Sequence, residues 1–389
     1  MNTPKIAITA FSSISPLGNN ADQVWKKYLD KKHCFTKQFL DQQETSAAVL
    51  DPESKKIIEE IRESDSKYKF LDDSVLFALA ASRKAVQNAG WKSDAVFGIN
   101  IGSSRGATDL FEKHYKEYLE TGKAQTLASP TTTLGNISSW IAHDLRSIGP
   151  EISHSITCST ALHALLNGIA WLKSGMADKF LVGGSEAPLT DFTIGQMRAL
   201  KIYSRIDQDT DLWPNLAFDF KKTQNTMILG EGAAICCLEA GEKEKAIAYV
   251  IGSGYATEIL EHNISISAEA DCFQKSMKMA LNNIDLESVD AIVMHAPGTI
   301  KGDLTELRAV EKVFGSRLPL LTTNKWKVGH TFGASGILSL ELALLMMEHN
   351  TFIATPFSGS EKYDKPIKRI LVNAVGFGGN AVSILIEKA

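Results

Sequence analysis

Apolar residues follow two alternating rhythms along this chain. Short unbroken apolar runs, suited to strands covered on both faces, alternate with stretches of helical period. Residues 5–10 read as a first strand, and 20–31 as a helix beyond the turn Pro16-Leu17-Gly18. Residues 73–90 carry Val75, Leu76, Leu79, Ala80 and Val86 at helical spacing and close on Gly90, with a strand expected at 96–102. The stretch 159–173 is apolar nearly all round (Leu162, Leu165, Leu166, Ile169, Ala170, Leu172) and stops at Gly175. It is therefore expected as a central, buried helix, followed by a core strand at 180–183. Such alternation predicts α/β architecture with mostly parallel strands.

The run Gly241-Glu242-Lys243-Glu244-Lys245 is a charged, linker-like break between two long apolar stretches. It divides the chain into an N-terminal half, residues 1–242, and a C-terminal half, residues 243–389. Beyond it the pattern recurs in shortened form: helix 270–282, strand 291–295, helix 304–313, strand 318–322, apolar helix 336–347 and strand 370–375. The second apolar helix holds in its half the place that 159–173 holds in the first. A duplication of elements without an obvious sequence repeat predicts two related halves packed face to face.

Bulk properties narrow the function classes. The 389 residues are 44% hydrophobic and 22% charged, ordinary values for a globular chain with a large core. A formal net charge of -4 supplies no general attraction for nucleic acid or an anionic membrane, and neither is expected as a partner. The five cysteines, at 34, 158, 236, 237 and 272, form no CxxC pair and no metal-type spacing with histidine, so neither a disulfide framework nor a metal site is expected. The first residues lack a signal-type apolar core, and no apolar run reaches the ~18 residues of a membrane span. A cytoplasmic location is the expectation.

Against this background Cys158 stands out. In Ser155-Ile156-Thr157-Cys158-Ser159-Thr160-Ala161-Leu162-His163-Ala164 a strand-like segment turns directly into the long apolar helix. Unpaired N–H groups and the positive end of the macrodipole there favour thiolate over thiol. Taken alone, such a cysteine also reads as a small buried hydrophobe. His295 ends the strand-like run before Ala296-Pro297-Gly298-Thr299, where open α/β sheets place ligand groups, although a lone strand-end histidine is more often structural. His330 lies in the glycine-rich Lys325-Trp326-Lys327-Val328-Gly329-His330-Thr331-Phe332-Gly333-Ala334-Ser335-Gly336, immediately before the second apolar helix. Asn373-Ala374-Val375-Gly376-Phe377-Gly378-Gly379-Asn380 is a third glycine-rich segment, readable by itself as a hairpin turn.

Together these segments resemble the β-ketoacyl-acyl-carrier-protein synthases of the thiolase superfamily, in the elongating class that uses a Cys-His-His set. Gly102-Ser103-Ser104-Arg105-Gly106, Gly183-Gly184-Ser185-Glu186-Ala187, Met197-Arg198-Ala199-Leu200 and Gly230-Glu231-Gly232-Ala233-Ala234 match in order and spacing, so the resemblance spans essentially the whole chain. It implies a thiolase-like fold, two duplicated βαβαβαββ halves in a five-layered α-β-α-β-α arrangement. It also implies decarboxylative condensation of malonyl-acyl carrier protein with an acyl group held on Cys158, in fatty-acid or specialised polyketide or polyene assembly. His295 and His330 then hold the malonyl thioester carbonyl as neutral imidazoles. The backbone N–H groups of Cys158 and Phe377 form an oxyanion hole, each donor worth roughly 3 kcal/mol. Lys325 tunes the local network, and Asp303 and Glu306 support the first histidine from behind. Thr299, Gly376 and Gly378 fall at substrate-binding positions, and Arg105 and Ile194 at positions that wall the acyl channel. Substrates arrive on the 4'-phosphopantetheine of an acyl carrier protein, with no covalently bound cofactor on the enzyme. Lys67, Lys69, Lys123, Arg198 and Lys201 are the candidate docking cations for that acidic partner. The implied assembly is a homodimer, or a heterodimer with a second ketosynthase-like chain, in which the strand near 180–183 pairs across the interface.

Three departures mark a divergent member. Pro297 stands where the family has threonine, Ser339 where it has a glutamate partner for the lysine, and the loop Gly376–Asn380 is one threonine short. Glu341, two residues beyond Ser339, points about 200° away around the helix and is no substitute. Thiolases need a late second cysteine, absent after Cys272, and initiating synthases have asparagine where His330 stands. The remaining alternative is a chain-length-factor-like partner subunit, against which the retained Cys158 argues.

Overall fold

The structure, a computed structural model, describes residues 4–92, 95–134, 136–206, 213–259, 267–358, 363 and 365–389. Among the described residues ten strands form one continuous hydrogen-bonded sheet. The first five are β1 (Ile6–Ile14), β4 (Gly98–Gly102), β5 (Glu151–Ile152), β6 (Lys179–Glu186) and β7 (Gly232–Ala240), with a small separate hairpin of β2 (Thr36–Leu40) and β3 (Gln43–Ala47). The second five are β8 (Ala248–Thr257), β9 (Ala291–Val293), β10 (Leu320–Thr322), β11 (Arg369–Gly376) and β12 (Asn380–Lys388). Their order is β10-β9-β11-β12-β8-β1-β7-β6-β4-β5. Counted within its own set, each five runs third, second, fourth, fifth, first from the outer edge inward. Each is parallel at the edge and antiparallel toward the middle. The sets meet where Ile6–Ile8 of β1 pairs with Val250–Ala248 of β8.

Both faces of each set are covered, and the side-chain alternation of the strands shows it. Phe180 and Val182 of β6 and Ile370 and Val372 of β11 point into a core shared with helices Thr160–Lys173 and Ser335–Glu348. Leu181 turns the other way, into a core under helix Asp73–Ala89. Leu371 turns into a third core under helices Asp271–Ala280 and Ile300–Phe314. The layers therefore run helix, sheet, paired central helices, sheet, helix. Every residue of Ser335–Met347 is buried, as its unbroken apolar composition requires. The two central helices cross closely because Gly336 lacks a side chain, whose Cβ would fall 2.6 Å from Leu162 Cγ. Helix Asp73–Ala89 closes on Gly90 as expected, left-handed at φ 66°, and Asp72 caps its start by accepting from Ser74 N–H.

One expectation is overturned. The strand near 180–183 cannot pair across a subunit interface, because β6 is hydrogen-bonded to β4 on one side and β7 on the other. The free edge of that set is β5. Among the described residues no helix is long and apolar enough to cross a membrane.

Candidate active site

Cys158 sits in a tight turn between β5 and the first central helix. Thr157 takes φ 46°, strained for a β-branched residue, and Ile156 and Cys158 form an isolated bridge. Thr160 locks the turn, its hydroxyl accepting from Ile156 N–H at 2.8 Å and donating to Thr157 O at 2.6 Å. The loop after β11 closes on this turn. A Cβ on Gly376 would collide with Thr157 Oγ1 and lie 3.1 Å from the Cys158 amide nitrogen, so only glycine permits the approach. Thr157 Oγ1 donates to Phe377 O at 3.4 Å. The hairpin reading of 373–380 holds: β11 and β12 are a hairpin, and Gly376 and Phe377 at its turn line the same cavity as Cys158.

His295 follows β9, and its position is fixed from helix Ile300–Phe314. Glu306 accepts from the N–H groups of His295 and Ala296 at 2.9 and 2.8 Å, and Asn373 donates to the same carboxylate at 3.3 Å. One turn earlier Asp303 accepts from Gly298 and Phe218 N–H and forms a buried ion pair with Lys222 at 2.7 Å. Thr299 caps the helix, accepting from Gly302 N–H. His330 is held by both backbone groups, donating to Ile228 O at 2.7 Å and accepting from Gly230 N–H at 3.1 Å. Its Nδ1 accepts from Phe332 N–H at 3.1 Å, which places the proton of the neutral ring on Nε2. The two imidazoles stand edge to face, centroids 5.1 Å apart.

All three groups line one cavity of about 260 Å³, together with Pro297, Thr299, Gly376 and Phe377. Met197, Ile202, Asn225, Met227, Phe273, Lys301, Gly302, Phe332 and Val375 complete its wall, and residue order alone does not assign them to it. Burial keeps both imidazoles neutral, His295 well below the usual histidine range and His330 down to about 3, with the neighbouring charge of Lys325 adding to the effect. Burial also pushes the Cys158 thiol up to about 12. The carboxyl of Glu186 adds to that, while Arg105 and Lys325 pull the other way. Desolvation in this mostly apolar pocket therefore opposes the helix terminus, which favours the thiolate.

Lys325 is fully buried and lowered to about 8. Its Nζ donates to Asn324 Oδ1 at 2.9 Å and Ser339 Oγ at 3.1 Å, so the serine takes the glutamate's place with a neutral acceptor. Glu341 lies on the far side of the helix, accepting from Ser13 Oγ at 2.5 Å. Glu186, pushed by burial to about 7, ties two loops together by accepting from the N–H groups of Ser104 and Gly333.

Other candidates lie farther out. Ile194 is fully buried in an apolar cluster with Cys158, Met197 and Phe332, and Arg105 stacks on Phe332. Gly378, at φ 93°, sits in the turn without lining the cavity. The basic residues divide. Arg198 and Lys201 line a polar cleft with Lys37 and Arg205, Arg198 being paired to Asp41 at 2.7 Å. Lys69 lines a different cleft with Arg62 and Lys113, Lys67 is paired with Asp65, and Lys123 is exposed beyond helix Thr108–Thr121. Among the described residues no cluster of three or more His, Cys, Asp or Glu is placed to hold a metal.

A fold of two like five-strand sets with a thiol and two imidazoles at their junction defines a class. Residues 3–244 match the N-terminal domain of beta-ketoacyl synthases and residues 240–356 the C-terminal domain, so the chain belongs to the beta-ketoacyl synthase family. It is similar to the 3-oxoacyl-[acyl-carrier-protein] synthase 2 of Coxiella burnetii, 26% identical across 100% of this chain and 99% of that one. The enzyme of the same name from Staphylococcus aureus is 24% identical, covering 99% and 98%. Among solved structures it superposes on a chain of AntDE:AntF, a type II PKS acyl-carrier protein in complex with its ketosynthase, with TM-score 0.86 at 19% identity, both chains fully covered. The ishigamide ketosynthase/chain length factor gives 0.84 at 20%, again over both full lengths. These place the fold as thiolase-like.

Proposed function

We propose that this protein is a β-ketoacyl-acyl-carrier-protein synthase. The reading rests on one observation: Cys158, His295, His330 and the Phe377 loop, drawn from four separate segments, line a single cavity. The Cys158 sulfur attacks the thioester carbonyl of an acyl group carried on phosphopantetheine. The C–S bond to the carrier breaks, and the carrier thiol leaves with the cysteine proton. The N–H groups of Cys158 and Phe377 stabilise the tetrahedral oxyanion. A malonyl thioester then places its carbonyl oxygen against His330 Nε2–H and His295. Two neutral donors stabilise the enolate formed as CO₂ departs, and its carbon attacks the acyl-Cys158 carbonyl, freeing the cysteine. Neutral imidazoles suit this role, since they donate without adding a charge that would protonate the enolate.

In this reading residues 1–242 supply the nucleophile and 243–389 the histidines, Lys325 sets the network around His330, and Asp303 and Glu306 hold the His295 turn. Thr299, Gly376 and Gly378 serve substrate, Arg105 and Ile194 wall the acyl end, and Lys67, Lys69, Lys123, Arg198 and Lys201 meet an acidic carrier protein. The working form is a cytoplasmic homodimer, with no covalent cofactor. The open edge at β5 and the exposed apolar side chains Phe111, Tyr115 and Leu119 on helix Thr108–Thr121 support an interface on that half. Intact-protein mass spectrometry with acyl carrier proteins tests the reading: an acyl mass should appear on Cys158 and leave as β-ketoacyl product when malonyl carrier is added. A chain that takes no acyl mass and condenses only when copurified with a second synthase is instead the chain-length-factor-like subunit.

A further inference from the structure

Glu341 is a buried carboxyl that the condensing chemistry leaves unused. It lies two residues beyond Ser339 on helix Ser335–Glu348 and meets β1 rather than Lys325. β1 pairs with β8 only over Ile6–Ile8; the register then shifts, and from Ala10 to Ile14 the strand pairs with β7 alone. No strand covers its other edge there, and a cavity of about 280 Å³ opens between that edge and helices Ser335–Glu348 and Asp73–Ala89. It shares no lining residue with the cavity of Cys158. Glu341 lines it and is 4% exposed. One carboxyl oxygen accepts from Ser13 Oγ at 2.5 Å, while Oε2 has no hydrogen-bond partner among the described residues. A carboxylate held this way is costly, because burial strips its water and one hydroxyl returns only part of that energy. Burial accordingly pushes its pKa up to about 7, with Ser13 opposing. Lys84, the one cation lining the cavity, donates to Asn19 O at 2.8 Å rather than to Glu341. Glu348, two turns further along the same helix face, adds a second carboxylate. Leu344 and Leu345 between them, with Phe11 and Ile247, give the wall an apolar part.

We propose that this cavity is a second binding site, one that takes a small organic ammonium ion whose N–H groups donate to Glu341 and whose alkyl part packs on Leu344, Leu345 and Phe11. The carboxylates exclude an anion. A bare alkali ion would use the oxygens and leave the apolar wall unfilled, whereas an ammonium on a short alkyl chain uses both, through charge-assisted hydrogen bonds at one end and apolar burial at the other. The site stands apart from Cys158 and the two histidines and does not depend on the condensing reaction.

The test titrates the full-length protein with n-butylammonium chloride, beside n-butanol and potassium chloride, and follows binding by ligand-observed NMR. Butylammonium should bind with a Kd of about 1 mM or tighter, within reach of so small a ligand, and at least about tenfold more tightly than the alcohol. Glu341→Gln, which keeps the side-chain shape, should weaken it at least about tenfold, and Lys84→Met, which removes a like charge, should tighten it. Binding should persist after Cys158 is alkylated with iodoacetamide, since that thiol lines the other cavity. Equal affinity for butanol overturns the proposal, because the walls then act only as an apolar hole. Displacement of butylammonium by equimolar potassium overturns it in favour of a metal-ion site. Binding that survives unchanged in folded Glu341→Gln, or that is lost on alkylation of Cys158, also overturns it, as does no binding up to about 20 mM. If Glu341→Gln does not fold, the comparison of ammonium with alcohol in the unaltered protein still decides the question.

Discussion

Helices Thr160–Lys173 and Ser335–Glu348 occupy the same place in the two strand sets, each between the third and fourth strands of its five. Yet the turn before one presents a thiol and the turn before the other an imidazole. The two are held differently. Cys158 is fixed by its own strained turn at Thr157 and by the close approach of Gly376, so the backbone around it sets the sulfur's position. His330 is tied by main-chain bonds to Ile228 and Gly230 and by its ring to Phe332 N–H. A repeated topology thus delivers two unlike groups to one point, and the local turn decides which chemistry each end can carry.

The sharpest break in that comparison is Cys158→Ala. Alanine fits the turn, so cooperative unfolding should be retained while acyl loading, read by intact mass, is lost completely; acyl mass on the variant would remove the thiol from the mechanism. His295→Ala and His330→Ala should each lower malonyl decarboxylation about 10²–10³-fold, the loss typical of one oxyanion donor. Alkylation of Cys158 by iodoacetamide should change less than about threefold in both, because neither ring is the base for resting thiol chemistry. A collapse of alkylation would make a histidine the activating base.

Support behind the second group is tested by Asp303→Asn. It strands the Lys222 ammonium in a site where the side chains are 2% and 0% exposed, and should cost about 3–5 kcal/mol in denaturant unfolding. Lys222→Met, which removes the charge with its partner left hydrogen-bonded to Phe218 and Gly298, provides the comparison. The acidity of the thiol gives a smaller effect. With the Cys158 pKa raised to about 12 the thiol is neutral below that value and ionised above it. Alkylation should therefore rise about tenfold per pH unit between pH 7 and 9. A rate already level at pH 7 would mean that the helix terminus outweighs burial. Smallest is Ser339→Ala, which removes one acceptor from Lys325 and should cost about 1 kcal/mol.

Much of this was legible from residue order. Helical periodicity located Asp73–Ala89 and the two central helices to within a residue or two, because an all-apolar stretch of that length has one stable environment. Helix Pro52–Ser64, helix Thr108–Thr121 and the β2–β3 hairpin went unpredicted. None of the residues of 108–121 is buried, and only Thr45 and Ala47 of the hairpin are, so neither carries a continuous stripe matched to a core. Lys222 was invisible for a related reason: beside Lys221 it reads as a solvated pair, and its partner Asp303 lies 81 residues away.

The sequence by itself determined the elements, the nucleophile candidate at the head of an apolar helix, the strand-end histidine and the glycines that bring backbones together. Those depend on local period, turn chemistry and residue type, all of which are written in neighbouring positions. Only the tertiary structure decided that residues 158, 295, 330 and 377 share one cavity, that Ser339 rather than Glu341 meets Lys325, and that β6 is interior. It alone set the charge states as well. Desolvation depends on everything packed around a group, so burial raises the thiol that its helix position marks as acidic.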